Sequence, residues 1–228
     1  MRWSILCDFD GTISREDVID ALLEKYGRPG WQSLEAQWRA GHIGSRECMQ
    51  GQVRLLALDR ATLDAHLDQV QIDPGFAAFV GQVHAAGLPL RIVSDGMDYA
   101  IHRILANHGL PALPVVANQL RWCGDHWELT SPHQADGCRS GTCKCSFAAQ
   151  ARASQAPRVL MIGDGASDFC VAGRADFVFA KHRLRTHCSD AGIAHAAIDS
   201  FHDASALLPR LLDGTLLPSA LPRILAPA

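Results

Sequence analysis

Apolar residues dominate the stretch from Trp3 to Cys7, with Ser4 as its one polar member, and the run stops at Cys7-Asp8-Phe9-Asp10-Gly11-Thr12-Ile13. A short continuous apolar run closed by a turn signal reads as a buried strand. The period then changes. Val18, Ile19, Leu22, Leu23 and Tyr26 recur at helical spacing before a stop at Gly27, and further helices are expected over 34–40, 45–58 and 61–70. No strand pattern occurs between residues 14 and 72. Asp73-Pro74-Gly75 opens a helix that runs to about Ala86 and ends at Gly87, and 88–93 reads as a second buried strand. Further strands are expected over 114–117, 158–162 and 176–179, and further helices over 97–108, 146–154 and 167–174. Residues 119–129 read as a small hairpin about Gly124-Asp125. Past about Asp213, Pro218, Pro222 and Pro227 stand among leucines and predict extended chain packed on the domain or on a partner subunit. Strands alternating with helices imply an α/β fold, a Rossmann-like parallel sheet covered on both faces. The sheet domain takes residues 1–13 and 73–228, with a helical domain, 14–72, inserted after the first strand.

Composition narrows the class. The chain has 228 residues, 48% hydrophobic and 20% charged, with a formal net charge of −3, an ordinary globular balance that argues for neither nucleic acid nor a membrane surface. No apolar run approaches the roughly 18 residues of a spanning helix, and the chain enters a strand at once, so a cytoplasmic location is expected. Eight cysteines in such a chain read mostly as free thiols. Cys138, Cys143 and Cys145, with His133 or Cys123 nearby, read either as a metal site or as a loop of free thiols. None of the eleven histidines forms a paired motif, and none is assigned to catalysis.

The chemistry sits at strand ends. Side chains at i and i+2 of extended chain point the same way, so Asp8 and Asp10 face one pocket. Two carboxylates held together raise a pKa or recruit a hard cation such as Mg2+; the alternative is a solvated acidic turn. In α/β sheets ligands bind at one edge, so each following strand end matters. Ser94-Asp95-Gly96 reads as an anion cradle or as a cap for the next helix. Gly163-Asp164-Gly165-Ala166-Ser167-Asp168 places Asp164 to complete a metal site with Asp8 and the Asp10 carbonyl, with Asp168 as a further ligand or orienting group. Lys144 is either a surface lysine or the cation that a phosphate beside several carboxylates requires.

In this order the motifs Asp-x-Asp-Gly-Thr, Ser, Lys and Gly-Asp-x-x-x-Asp resemble the haloacid dehalogenase-like phosphatases, over Trp3 to about Ala180. The resemblance implies a helical C1-type cap over 14–72 and a catalytic set of Asp8 as nucleophile, Asp10 as general acid and base, and Ser94 and Lys144 on the phosphoryl oxygens, with Mg2+ at Asp8, Asp10 and Asp164. The cap length is similar to the phosphoserine phosphatase branch (subfamily IB). There Asp17 holds the position that recognises an amine, although Ser14-Arg15-Glu16-Asp17 also has capping-box spacing. Gln52 stands where the branch has its carboxylate-binding arginine, with Arg54 displaced from it; Asp95 and Gly96 complete the candidate substrate contacts. Asp95 and Ser167 depart from the branch. The cysteines around Lys144 are instead similar to the methionine-salvage phosphatases acting on 2-hydroxy-3-keto-5-methylthiopentenyl-1-phosphate. The partner implied is a small phosphorylated metabolite, and the protein is expected to be a monomer or homodimer, with a phosphotransferase or a silent binding module as alternatives.

Overall fold

The computed structural model describes residues 2–219. Its strands are β1 (Trp3–Cys7), β2 (Leu90–Met97), β3 (Val115–Trp122), β4 (Trp127–Thr130), β5 (Arg158–Gly163), β6 (Phe177–Ala180) and β7 (His195–Ala197). They form one mostly parallel sheet in the order β4-β3-β2-β1-β5-β6-β7, the α/β architecture expected from the alternating pattern. The helices are α1 (Val18–Tyr26), α2 (Trp31–Arg39), α3 (Ser45–Arg54), α4 (Arg60–Leu67), α5 (Phe76–Ala85), α6 (Asp98–Asn107), α7 (Lys144–Arg152), α8 (Phe169–Ala172), α9 (His182–Asp190) and α10 (Phe201–Leu212). No described helix is long and apolar enough to cross a membrane. Contacts divide the chain into two compact units.

The first unit comprises the chain up to Asp8, Asp73–Leu90 and the chain from Lys144 onward. Strand β1 pairs parallel with β5 from Trp3↔Arg158 to Cys7↔Ile162, and β6 and β7 follow in parallel register. Val159, Leu160, Met161 and Ile162 are all fully buried, which is why this strand reads as a continuous apolar run: both faces are covered. The sequence pattern does not announce helix α10. Ser200 and Asp203 form its capping box and Phe201, Ala204, Leu208 and Leu211 are its buried stripe, but Pro209 in the last turn masks the pattern. Phe201 meets Phe76 and Phe79 with ring centroids 4.8 and 5.2 Å apart. Helix α9 buries only Leu184 and Cys188, too few to show a period. Beyond α10 a turn at Asp213-Gly214 leads into chain without regular structure, and the Ser219 N–H donates to the His195 carbonyl at 2.7 Å, so this part packs on its own unit. Pro222 and Pro227 lie outside the described residues.

The second unit comprises Phe9–Ile72 and Arg91–Cys143. Between residues 14 and 72 it carries α1 to α4; the extended pairings described there are the isolated bridges Ser14↔Ile72 and Gly27↔Leu56. Helix α3 packs on β4, and α4 packs on α6, where Arg103 reaches Asp64 at 3.2 Å and Asp68 at 2.7 Å. The expected hairpin forms as an extension of β3: Trp122 pairs with Trp127 around the turn, and the buried Trp127 indole donates to the Leu58 carbonyl at 2.9 Å. One boundary differs in a way that matters. Strand β2 does not end at Val93 but continues through Ser94-Asp95-Gly96 to Met97, with a register shift against β3 before Met97↔Asn118. These residues are therefore strand, and α6 starts only at Asp98. Helix 167–174 likewise resolves into a single 3-10 turn, Ala166–Asp168, followed by the short α8.

Candidate active site

In the first unit, β1 delivers Asp8 to the sheet edge, where the Asp8 N–H donates to the Ile162 carbonyl at 2.9 Å. Lys144 opens α7 and is 4% exposed. Its ammonium lies 2.7 Å from Asp8 Oδ2, 2.6 Å from Asp168 Oδ1 and 3.2 Å from Ser167 Oγ. Burial pushes this lysine down, but the Asp168 and Asp8 carboxylates outweigh burial and hold it well above the usual lysine range. Asp168 is fully buried, and its Oδ2 accepts the N–H groups of Asp164 at 3.0 Å and Gly165 at 3.3 Å, so it fixes both the lysine and the loop. Gly163 is required beside it, because a Cβ there would run into the Asp168 carboxylate. Ser167 Oγ donates to Asp8 Oδ2 at 3.5 Å. Ligand oxygens of Asp8, Asp164 and Asp168 lie within 4.8 Å of one another, an all-oxygen donor set of the kind hard cations take. Three carboxylates converging in a largely buried place form a donor set that a divalent ion fits. Burial, with Asp8 second, raises the Cys7 thiol well above its ordinary value, so it stays protonated beside the site.

In the second unit, Asp10 is held from two directions. The Val18 N–H at the start of α1 donates to Asp10 Oδ1 at 3.1 Å, where the helix N-terminus favours negative charge, and Ser94 Oγ donates to Oδ2 at 3.5 Å. The Gly96 N–H in turn donates to Ser94 Oγ at 2.9 Å. A Cβ at Gly96 would run into Asp10, so this position needs glycine for close approach. Asp95 has a different task. Its carboxylate accepts the Ser45 hydroxyl, the Thr142 N–H at 2.9 Å and the Asn118 amide at 3.2 Å, tying the start of α3, β3 and the loop before Lys144 to β2. Neither Ser45 nor Asn118 carries any local signal for this role. Asp17 caps α1, accepting from Ile19 at 3.1 Å and Asp20 at 3.2 Å; Gln52 is buried and donates to Glu35 at 3.3 Å; Arg54 is exposed at the end of α3.

The cysteines separate. Cys138 and Cys143 are hydrogen-bonded within the loop before Lys144. Cys123 stands instead on the hairpin, where its sulfur converges with His126 and Glu128, a grouping whose signal was the spacing Cys-x-x-His-x-Glu across a tight turn.

Comparison with known proteins places these motifs in a family. The model for haloacid dehalogenase-like hydrolases matches residues 5–173. A 2-hydroxy-3-keto-5-methylthiopentenyl-1-phosphate phosphatase of Exiguobacterium sp. is 31% identical, over 91% of this chain and 98% of its own. The Brevibacillus brevis protein of the same name is 30% identical, over 91% of this chain and 95% of its own. Among solved structures, phosphoserine phosphatase from T. onnurineus superposes with a TM-score of 0.68 at 15% identity, covering 91% of this chain and 94% of that one. A phospho-aspartyl intermediate analogue of phosphoserine phosphatase gives 0.67 at 18% identity, covering 91% and 97%; these two likenesses concern the fold.

Proposed function

The chain belongs to the haloacid dehalogenase-like hydrolases and is a phosphatase, and from that premise we propose that it hydrolyses a small phosphomonoester through an aspartyl phosphate on Asp8. The observation that carries this reading is the buried Asp8–Lys144–Asp168 cluster, with 2.7 and 2.6 Å contacts to one ammonium. Lys144 and Ser167 both address Asp8 Oδ2, which orients the carboxylate for in-line attack. An Asp8 oxygen forms the bond to phosphorus as the ester P–O bond breaks, and the leaving alkoxide takes the Asp10 proton. Asp10 lies two residues along the chain, within roughly 7 Å of Asp8 by chain length alone. The Asp10 carboxylate then takes a proton from water; the water oxygen bonds to phosphorus, the Asp8–phosphorus bond breaks and phosphate leaves. Ser94 and Lys144 hold phosphoryl oxygens, while Asp168 keeps Lys144 in place. Asp8 and Asp164, with Asp168 beside them, are the residues that would hold Mg2+, which when bound supplies charge neutralisation for the incoming phosphate. Residues 14–72 act as the cap that selects the leaving group. The eight cysteines, all thiols, favour a reducing, cytoplasmic setting.

For the substrate, the reading favoured is 2-hydroxy-3-keto-5-methylthiopentenyl-1-phosphate, the compound in the names of both curated relatives. The side chains that would recognise phosphoserine are employed otherwise: Asp17 as a helix cap, Gln52 on Glu35, Asp95 on Ser45, Asn118 and Thr142. The test is phosphate release from this ester and from phosphoserine, with Mg2+ or EDTA, for wild type and Asp8→Asn. Mg2+-dependent release from the enol-derived ester, lost in the variant, is the expected result, and added alcohols report any transfer to an acceptor. Ordinary turnover by Asp8→Asn overturns the mechanism; preference for phosphoserine overturns the substrate.

A further inference from the structure

The hairpin of β3 and β4 carries chemistry that phosphate hydrolysis does not use. Its register pairs Arg121 with Glu128 and Trp122 with Trp127, and the Cys123 N–H donates to the His126 carbonyl at 2.9 Å across the turn. Alternation then sorts the side chains. Trp122 and Trp127 take one face, where Trp127 is buried, and Cys123, His126 and Glu128 take the other, reachable from solvent. A thiol, an imidazole and a carboxylate thus meet at one end of a hairpin, with their ligand atoms within 4.8 Å of one another.

We propose that Cys123, His126 and Glu128 form a binding site for a zinc-class divalent ion, separate from the aspartate cluster. Three observations bear on it. The first is spacing: His126 Nε2 lies 3.3 Å from Glu128 Oε1, the edge of a tetrahedron whose metal–ligand bonds are about 2.0 Å. The second is orientation. His126 Nδ1 is 2.6 Å from Asp125 Oδ1, and a carboxylate on one imidazole nitrogen fixes the tautomer that presents the other nitrogen to a metal. The third is the donor set. Sulfur, nitrogen and oxygen together suit zinc and its neighbours, whereas Mg2+ takes oxygen alone, so the two sites discriminate by chemistry. Arg121, on the same face, turns its guanidinium to Gln119 Oε1 at 3.1 Å. Coordination displaces the Cys123 thiol proton to solvent, and the fourth position is left for water. The ion would staple the turn of the hairpin on which α3 packs.

The experiment is a Co2+ titration of the metal-stripped full chain in excess Mg2+, following the thiolate-to-cobalt charge-transfer absorption. One equivalent is expected to develop that band, and Zn2+ to displace it. Cys123→Ser and His126→Gln abolish it while keeping the wild-type circular dichroism and phosphate release. Asp125→Asn weakens binding by roughly 10- to 100-fold. Cys138→Ser and Cys170→Ser leave it intact. Absence of the band in wild type overturns the proposal, as does its survival in Cys123→Ser or its loss in Cys138→Ser, which would assign the metal to the cysteine loop.

Discussion

Replacing Lys144 by methionine tests whether one ammonium organises the buried cluster. It keeps the length of the side chain and removes the charge. At an effective dielectric of about 20, each contact near 2.7 Å carries roughly 6 kcal/mol of gross attraction, and the structure gives two of them, to Asp8 and Asp168. Most of that gain is spent on taking three charged groups out of water, because Lys144 and Asp8 are each 4% exposed and Asp168 is fully buried. The variant recovers the desolvation of the lysine but leaves two buried carboxylates facing each other. Cases in which one partner of a buried pair is removed lose about 3–5 kcal/mol. For a chain of this size that corresponds to a fall of about 6–20 °C in Tm. The assay is thermal unfolding at neutral pH, metal-free, for Lys144→Met, Asp168→Asn and the double variant. Because the loss comes from unpaired charge, the double variant should be more stable than the sum of the singles predicts, by at least about 1 kcal/mol. Divalent ion should restore part of the Lys144→Met loss, since it supplies the missing positive charge. A Tm within 2 °C of wild type, or strict additivity in the double variant, refutes the reasoning.

Three further outcomes follow from the same geometry. Gly96→Ala forces a Cβ against Asp10 and should lower kcat on the order of 100-fold with Tm little changed; retained kcat would show that Asp10 needs no such positioning. Asp95→Ala strands the Thr142 N–H and leaves the Asn118 amide only the residue-95 carbonyl, and should cost about 3 kcal/mol in urea unfolding, against about 1 for Ser45→Ala, with equal losses counting against a central role for Asp95. His66 is held below the ordinary histidine value by burial and then by Lys25, so the folded state binds fewer protons than the unfolded chain. Its contribution is present above the unfolded value of about 6.5 and is lost as pH falls below it through the lower folded-state value, so unfolding midpoints between pH 7.5 and 5 should decline less steeply in His66→Gln; equal slopes sink the assignment.

What the sequence made legible was local. Trp3 to Cys7 and residues 159–162 announce themselves because both faces of these strands are buried, and an acid at the end of such a run has no packing reason to be there. Asp8 and Asp164 stand out this way, whereas Lys144 draws attention only through the carboxylates around it. What stayed hidden depends on partners remote in sequence. Asp95 looked like a cap or a substrate contact because its local setting offers nothing else; its partners Ser45, Asn118 and Thr142 come from α3, β3 and the loop before Lys144. The end of β2 is obscured for a related reason: polar Ser94-Asp95-Gly96 resembles a strand end, yet the strand runs through it to Met97 with a register shift against β3. The convergence of Cys123 with His126 and Glu128 also depends on register, since only a hairpin with Trp122 opposite Trp127 brings them to one face.

Burial of charge does not by itself mark a site, and the first unit contains the comparison that shows why. Lys181 and Asp73 form a second buried pair, at 3.2 Å. Asp73 also accepts the Gly75 N–H at 2.9 Å and the Phe201 N–H at 3.1 Å, so its carboxylate joins the starts of α5 and α10 and acts as a structural clamp. Its oxygens thus serve two helix starts as well as Lys181. At Lys144 two carboxylates, Asp8 and Asp168, share one ammonium, and ligand oxygens of Asp8, Asp164 and Asp168 lie within 4.8 Å of one another. Such a convergence of carboxylates lowers stability, a cost that a bound cation would offset. The partners of the carboxylates, rather than depth, therefore separate the clamp at Asp73 from the reactive centre proposed at Asp8.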